Sequence, residues 1–475
     1  MSNGLETLKS KGVYALHPDL LLTPDGALND VVMVIDGGKI TAIKPVAGDN
    51  SSLDDGIEII RLKDQAIIPG IIDTHHHVAE PFAKAITCGE PAQMWKRIWL
   101  PLEEAATPES TYISAKWTFI EAIRGGFTTI VDHGIRESEN TEAVLRAAEE
   151  IGLRLVSSTG VYDLSDFETD ATKPKAMSTI DDAVQVAEDH IVKVSKRWNI
   201  TPSIACGTVQ SNSGDMIKFL AEYCEQHNII FQIHANEHTE EIHRCIEREG
   251  KRPIEYLHAL GALRPTTLIA HATLVTSKEI KLLRDTGTAV SYNPVASQWK
   301  GNGVAPAIEY ARQGVRFGLG TDATRNDAFR LLDAAESCQR IAYGLPNDDF
   351  SCGAGWLWVD AATRAGAEVI GLGTITGRLE PGYEADFLVL DMATPEVLPS
   401  WDFTWELVRY YDRANIKATF VAGEPLVVDG KPTGLDIEDF IQKNLPIGVK
   451  SIQDADIIRL HGPSVRYRPE INFWQ

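Results

Sequence analysis

The sequence predicts an α/β fold: a (β/α)8 barrel of the TIM type joined to a small β-sandwich domain built from both chain ends. Three observations predict it. Short strands with tight turns occupy both ends of the chain, eight apolar runs alternate with helical stretches between them, and several of those runs end in a histidine or a carboxylate. The 475 residues are 44% hydrophobic and 24% charged, which is enough to bury a large core. A barrel of this kind uses about 250 residues or more as one unit, so two domains account for the length.

Up to about residue 65 the texture is β: residues 31–35, the turn Asp36-Gly-Gly-Lys39, residues 40–43 and residues 57–62. Eight strand candidates follow at 66–73, 128–133, 154–159, 203–206, 229–233, 267–270, 289–292 and 316–319. Helical segments at 108–124, 142–150, 216–226 and 280–285 separate several of them. This alternation is what parallel strands with crossover helices require, and a barrel so built carries its chemistry at the C-terminal strand ends. A doubly wound sheet is the alternative. Residues 385–390, 418–421 and 426–428, with the turn Ala422-Gly-Glu-Pro425, repeat the opening texture. Neither end has enough strands to stand alone. The expected division is therefore a composite β domain of residues 1–66 and 380–435, a barrel of 67–379 and a C-terminal extension of 436–475, to which the sequence assigns no role.

Asp and Glu number 67 against 45 Lys and Arg, a formal charge of −22. Such a surface repels phosphate backbones and anionic lipid, so nucleic-acid polymers and membranes are not expected partners and a small-molecule substrate is. Apolar runs such as residues 65–72 are far shorter than a membrane span, and the start Met1-Ser-Asn-Gly lacks a basic-then-apolar signal, which together predict a cytoplasmic protein. Cys88, Cys206, Cys224, Cys245, Cys338 and Cys352 form no C-x-x-C pair and read as free thiols, Cys206 as a small core residue. Homo-oligomerisation is left open.

The sharpest motif is Pro69-Gly-Ile-Ile-Asp73-Thr-His75-His-His77, an apolar strand ending in three histidines. Strand side chains alternate, so His75 and His77 share a face with Asp73 one layer below, and His76 points the other way. Two further runs end in His234 and His271, and the last runs into Gly318-Leu-Gly-Thr-Asp322. Alone, His234 or His271 reads as a hydrogen-bonded core residue. On one barrel rim, His75, His77, His234 and His271 become a constellation with Asp322, and three neutral imidazoles plus that carboxylate suit Zn²⁺ or Fe²⁺ with a position left for water. His133 either lines the pocket or is a structural histidine. Gln210, Asn293, Trp299 and Arg325 fall on expected rim loops, where polar and aromatic groups hold a planar ligand.

His-x-His on the first barrel strand, histidines on the fifth and sixth and an aspartate on the eighth resemble the amidohydrolase superfamily over about residues 30–430. The resemblance implies His75, His77, His234 and Asp322 as the ligands of one ion. Met94-Trp-Lys-Arg-Ile-Trp-Leu-Pro-Leu-Glu103, His234-Ala-Asn-Glu237 and Gly318-Leu-Gly-Thr-Asp322 are similar to the branch of cytosine and guanine deaminases, adenosine-type deaminases and triazine hydrolases. In that branch the glutamate three residues after the strand 5 histidine shuttles a proton to a substrate ring nitrogen, a role the resemblance assigns to Glu237. The implied activity is a metal-dependent aminohydrolase acting on a nucleobase-, pterin- or triazine-like N-heterocycle. A metal lowers the pKa of bound water to about 7, so hydroxide is available at neutral pH. Asp322 would accept its remaining proton, Glu237 in its protonated form would act as general acid, and His271 would orient the hydroxide and stabilise the oxyanion.

Two positions depart from the branch. Leu274 stands where many members carry a second strand 6 histidine, which argues against a nucleobase, and residues 201–210 lack the lysine that bridges two metals, which argues for one ion. An amide, urea or carbamate hydrolase using the same hydroxide is the competing enzyme reading. A non-catalytic scaffold is the third, and it leaves the filled ligand positions without a purpose.

Overall fold

The computed structural model describes residues 5–10, 12–46, 56–90, 94–134, 138–164, 179–323, 325–344 and 346–460, so the start at Met1 and the end of the C-terminal extension lie outside the described residues. The chain opens with β1 (Val13–Thr23), β2 (Gly26–Leu28), β3 (Val31–Asp36), β4 (Lys39–Pro45) and β5 (Ile59–Pro69). The sequence pattern does not announce β1, because its buried positions run on from Tyr14 to Pro18 instead of alternating. One boundary is corrected by β5. Residues 57–62 and 66–73, expected as two strands, form instead one strand to Pro69, and a separate barrel strand begins after Gly70. A Cβ on Gly70 would sit 2.2 Å from Thr128 Oγ1, so the chain can change sheets there only without a side chain.

Eight parallel strands follow in unbroken order: β6 (Ile71–His76), β7 (Phe127–Asp132), β8 (Arg154–Gly160), β9 (Ile200–Thr208), β10 (Ile230–Ala235), β11 (Thr267–His271), β12 (Ala289–Tyr292) and β13 (Phe317–Leu319). All residues of β6, β7 and β11 are buried, as strands covered on both faces require. Helices connect them, and their starts are written locally: Thr107 and Thr276 cap the helices Pro108–Arg124 and Ser277–Thr286 in reciprocal boxes with Ser110 and Glu279. Ile72, Val131, Val156, Ile230, Leu268 and Ala289 fill the barrel with Ala367 and Val369. Between β13 and β6 the ring closes through residues 75–77 and Asp322. Asp322 N donates to His75 O at 2.9 Å and His77 N to Asp322 O at 2.8 Å, so the joint of the barrel is made by the residues expected to hold the metal.

β14 (Phe387–Asp391), β15 (Ile416–Val421), β16 (Glu424–Val428) and β17 (Lys431–Pro432) complete a nine-stranded mixed sheet in the order β17-β16-β15-β14-β5-β1-β3-β4, with β2 on β1. Both chain ends therefore build one sheet, joined where β5 pairs antiparallel with β14. The sheet rolls until Ala385 N reaches Gly38 O at 2.8 Å, and Phe387 stacks on Phe420 inside it at 4.4 Å. Its outer face shares the barrel's core through Leu388, Leu390, Ile416 and Val427. A buried ion cluster adds to the joint: Arg154 of β8 donates to Asp386 at 2.5 and 3.1 Å and to Glu384 at 2.9 Å.

The extension has a position in the fold. Its helix Ile437–Asp454, capped by Asp436, packs Phe440 against Trp117 at 5.6 Å. Beyond it Ile458 N donates to Arg97 O at 2.9 Å, and Glu90 accepts from Arg97 at 2.8 Å and from Leu460 N at 3.0 Å. This ties the extension to the loop after β6. No described helix is long and apolar enough to cross a membrane.

Candidate metal centre and active site

At the C-terminal rim, His75 and His77 present their Nε2 atoms to Asp322 Oδ1 at 3.7 and 3.4 Å. The alternation argument places these two rings correctly but fails for Asp73. Asp73 Oδ2 lies 3.5 Å from His76 Nδ1, and Asp73 accepts from Thr321 N at 3.0 Å, so it joins His76 rather than His75. The cause is a register irregularity between Asp73 and His76 that shifts the strand's phase. Gly320 makes room for the pair, since a Cβ there would lie 3.1 Å from His75 Cβ and 2.3 Å from Asn293 Oδ1.

His234 ends β10 with its Nδ1 2.9 Å from Gly207 O; donating there leaves Nε2 free to bind a cation. His75 Nε2 is buried and makes no hydrogen bond, and ligand atoms of His75, His77 and Asp322 lie within 4.8 Å of one another. A buried imidazole nitrogen of His75 without a hydrogen-bond partner, beside His77 and the Asp322 carboxylate, fits a divalent ion. Burial, then the neighbouring His75, lowers the pKa of His77 well below the usual value and that of His234 to about 4, so both are neutral at pH 7.

Beside this set, Glu237 Oε1 collects Asn302 Nδ2 at 2.8 Å, His238 Nε2 at 3.2 Å, Lys300 Nζ at 3.3 Å and His271 Nε2 at 3.5 Å. Lys300 also pairs with Asp322 Oδ2. Burial raises the pKa of Glu237, but His238, His271 and Lys300 outweigh it and hold the carboxyl well below its usual range. The same balance, with Lys300 the largest lowering influence, keeps Asp322 ionised. Glu237 is therefore charged in the free site, and to act as an acid it must first take up a proton. Thr74, Ser291 and Asn293 form a relay to His271: Thr74 Oγ1 is 2.6 Å from Ser291 Oγ, which donates to Asn293 Oδ1 at 2.8 Å, and Asn293 Nδ2 is 3.2 Å from His271 Nδ1. With Nδ1 accepting from that amide, Nε2 carries the proton and points at the site. His271 and Asp322 both have left-handed backbone, φ 73° and 69°, a conformation that costs free energy and that the barrel imposes where these side chains must turn inward.

A cavity of about 1180 Å³, taken out to its open mouth, lies over this cluster. Gln210 lines it and donates to Glu241 O at 3.3 Å. Three expectations about substrate contacts are corrected. Asn293 is buried beneath His271. Trp299 does not line the cavity but packs against the apolar cluster that includes Met94, Ile98 and Trp99, and the helix Pro294–Lys300 delivers the next residue, Lys300, to the site. Arg325 is exposed, with Asp327, Arg330, Arg413 and Glu121 as its charged neighbours, because the chain has turned outward after Asp322. Lys300, Asn302, His238, Trp95, Trp99, Tyr162, Glu80, Glu103 and Arg244 are additions the sequence reading missed; all but Asn302 line the cavity. Leu274 does not line it, so the missing second histidine leaves no gap in its wall.

A family model described as the amidohydrolase family matches residues 66–426. The chain is 28% identical over 438 residues to a 5-methylthioadenosine/S-adenosylhomocysteine deaminase of Natronomonas pharaonis, covering 91% of this chain and 95% of the relative. A protein of the same description from Aquifex aeolicus is 28% identical over 385 residues, 80% of this chain and 86% of that one. Among solved structures, a zinc-bound adenosine deaminase from Xanthomonas campestris superposes with a TM-score of 0.82 at 20% identity, covering 93% of this chain and 98% of that chain. Atrazine chlorohydrolase from Arthrobacter aurescens, also with zinc, gives 0.82 at 21% identity, covering 92% and 100%.

Proposed function

The chain belongs to the amidohydrolase family, and from that premise we propose that it is a metal-dependent aminohydrolase that displaces an amino group from an N-heterocycle. His75, His77, His234 and Asp322 would hold one divalent ion, Zn²⁺ or Fe²⁺. A second ion beside Glu237, His271 and Asp322 is disfavoured, because the Lys300 ammonium already stands between the two carboxylates. When bound, the ion supplies the Lewis acidity that makes water nucleophilic near neutral pH.

The observation that carries the reading is the Glu237–Lys300–Asp322 chain, which links two ionised carboxylates across one cavity floor beside the histidine cluster. Each carboxylate must take a proton before giving one. Glu237 takes the first from the attacking water and delivers it to the ring nitrogen as the new C–O bond forms. Asp322 takes the second from the added hydroxyl and passes it to the amino group, whose C–N bond breaks to release ammonia. His271 Nε2–H donates to the oxygen that gains charge, and Trp95, Trp99 and Tyr162 supply flat apolar wall for a planar ring. The deaminase names carried by relatives that match nine-tenths of the chain favour an aminopurine among the heterocycles.

The test is a screen of the metal-loaded protein against aminopurines and their nucleosides, aminopyrimidines, pterins, triazines and aryl ureas, read as ammonia or amine released. Release from an aminated heterocycle with none from the ureas supports the proposal. Turnover of ureas alone contradicts it.

A further inference from the structure

One imidazole in the cluster has no role in this scheme. His133, directly after β7, is 2% exposed, and neither ring nitrogen makes a hydrogen bond. A structural histidine buried this deeply normally bonds through at least one nitrogen. Its ring centroid lies 4.2 Å from that of His234, 5.4 Å from His75 and 5.5 Å from His77. Those three lie 4.8, 5.0 and 5.5 Å from one another. An ion about 2.1 Å from each ring nitrogen holds centroids roughly 4.5 to 5.5 Å apart for bond angles between about 90° and 120°. His133 thus lies within that spacing of His75 and His77 and slightly closer to His234, and its ligand atom lies within 4.8 Å of those of His75 and His234.

The surroundings of the ring agree. The His133 backbone N–H donates to His76 O at 2.9 Å, which fixes it against the rim residues of β6. The Gln232 side chain, whose Oε1 is itself unsatisfied, is the polar neighbour that favours a proton on the His133 ring. Ligating histidines commonly turn their second N–H to such an acceptor. His271 differs, since its Nδ1 is occupied by Asn293 and its Nε2 faces Glu237.

We propose that His133 is a fifth protein ligand, adding a fourth neutral imidazole to His75, His77, His234 and Asp322. The proposal rests on the metal-dependent reading above. Five protein ligands and a water make six positions, a count that suits an octahedral ion such as Fe²⁺ better than Zn²⁺, which favours four.

Titration of the metal-stripped full-length protein with Co²⁺ tests it, because the visible absorption of that ion reports its ligand set without reference to activity. The unsubstituted protein is compared with His133→Ala and with His133→Gln, whose amide can still pair with Gln232 and so guards against a folding defect. Expected are one bound Co²⁺, an altered spectrum in both variants and an affinity lowered by about 10²-fold. An unchanged spectrum in both variants, at whatever affinity, overturns the assignment of His133 alone. Failure of the unsubstituted protein to bind Co²⁺ stoichiometrically overturns the metal reading and the assignment together.

Discussion

Replacing Glu237 by glutamine separates proton transfer from everything else this side chain does. Its Oε1 meets Asn302 at 2.8 Å, His238 at 3.2 Å, Lys300 at 3.3 Å and His271 at 3.5 Å. Glutamine keeps an acceptor oxygen for Asn302, and Lys300 keeps Asp322 as a partner, so the fold and the metal ligands are left in place. What disappears is a group that can take a proton and return it. Loss of a general acid–base residue lowers kcat by about 10²- to 10⁴-fold, or roughly 2.7 to 5.5 kcal/mol of barrel-site stabilisation of the transition state. The assay is steady-state ammonia release at pH 7 alongside elemental analysis of the same sample. Metal content near one per chain with kcat reduced at least about 10²-fold is expected. A rate within about threefold of the parent at full metal content refutes the ring-protonation scheme and moves the amide, urea or carbamate reading ahead of it.

Three other outcomes follow. Asp322→Asn should lower both metal retention and turnover, since Asp322 faces His75 and His77 at 3.7 and 3.4 Å as well as Lys300; full metal content in that variant contradicts its role as ligand. Arg154→Met leaves buried Asp386 without its cation, while Glu384 keeps Lys39 at 3.2 Å, and denaturant unfolding should show a loss of about 3 to 5 kcal/mol; a loss below about 1 kcal/mol refutes the ion cluster as a joint between barrel and sheet. Burial and His75 depress the His234 pKa to about 4, so in the metal-stripped protein its ring should stay neutral as pH falls and gain a proton only near 4. An NMR titration that places protonation of the His234 ring at the ordinary value of about 6.5 contradicts the depressed value.

The proposed metal ligands are legible because strand ends leave little freedom: an apolar run fixes which residues reach the rim, and an offset of three from His234 carries Glu237 onto the same turn. The phase of such a run survives only until a bulge, which is why alternation alone puts Asp73 on the side of His75 while the structure has it beside His76. Side chains on rim helices are set by one residue's rotation, and in the seven-residue helix Pro294–Lys300 that rotation exchanges Trp299 for Lys300. The rest of the cavity wall, Trp95, Trp99, Tyr162 and Arg244, comes from separate loops that meet only after the barrel closes, so no local pattern marks it. β1 was hidden for the opposite reason: nearly continuous burial removes the alternation that identifies a strand.

The most direct test of the central claim is a titration of turnover with metal. The stripped protein should be inactive, and its ammonia-releasing activity should rise linearly with added Zn²⁺ or Fe²⁺ to a break at one equivalent per chain. Full activity without metal, or a break at two equivalents, would contradict a mononuclear metal-dependent hydrolase.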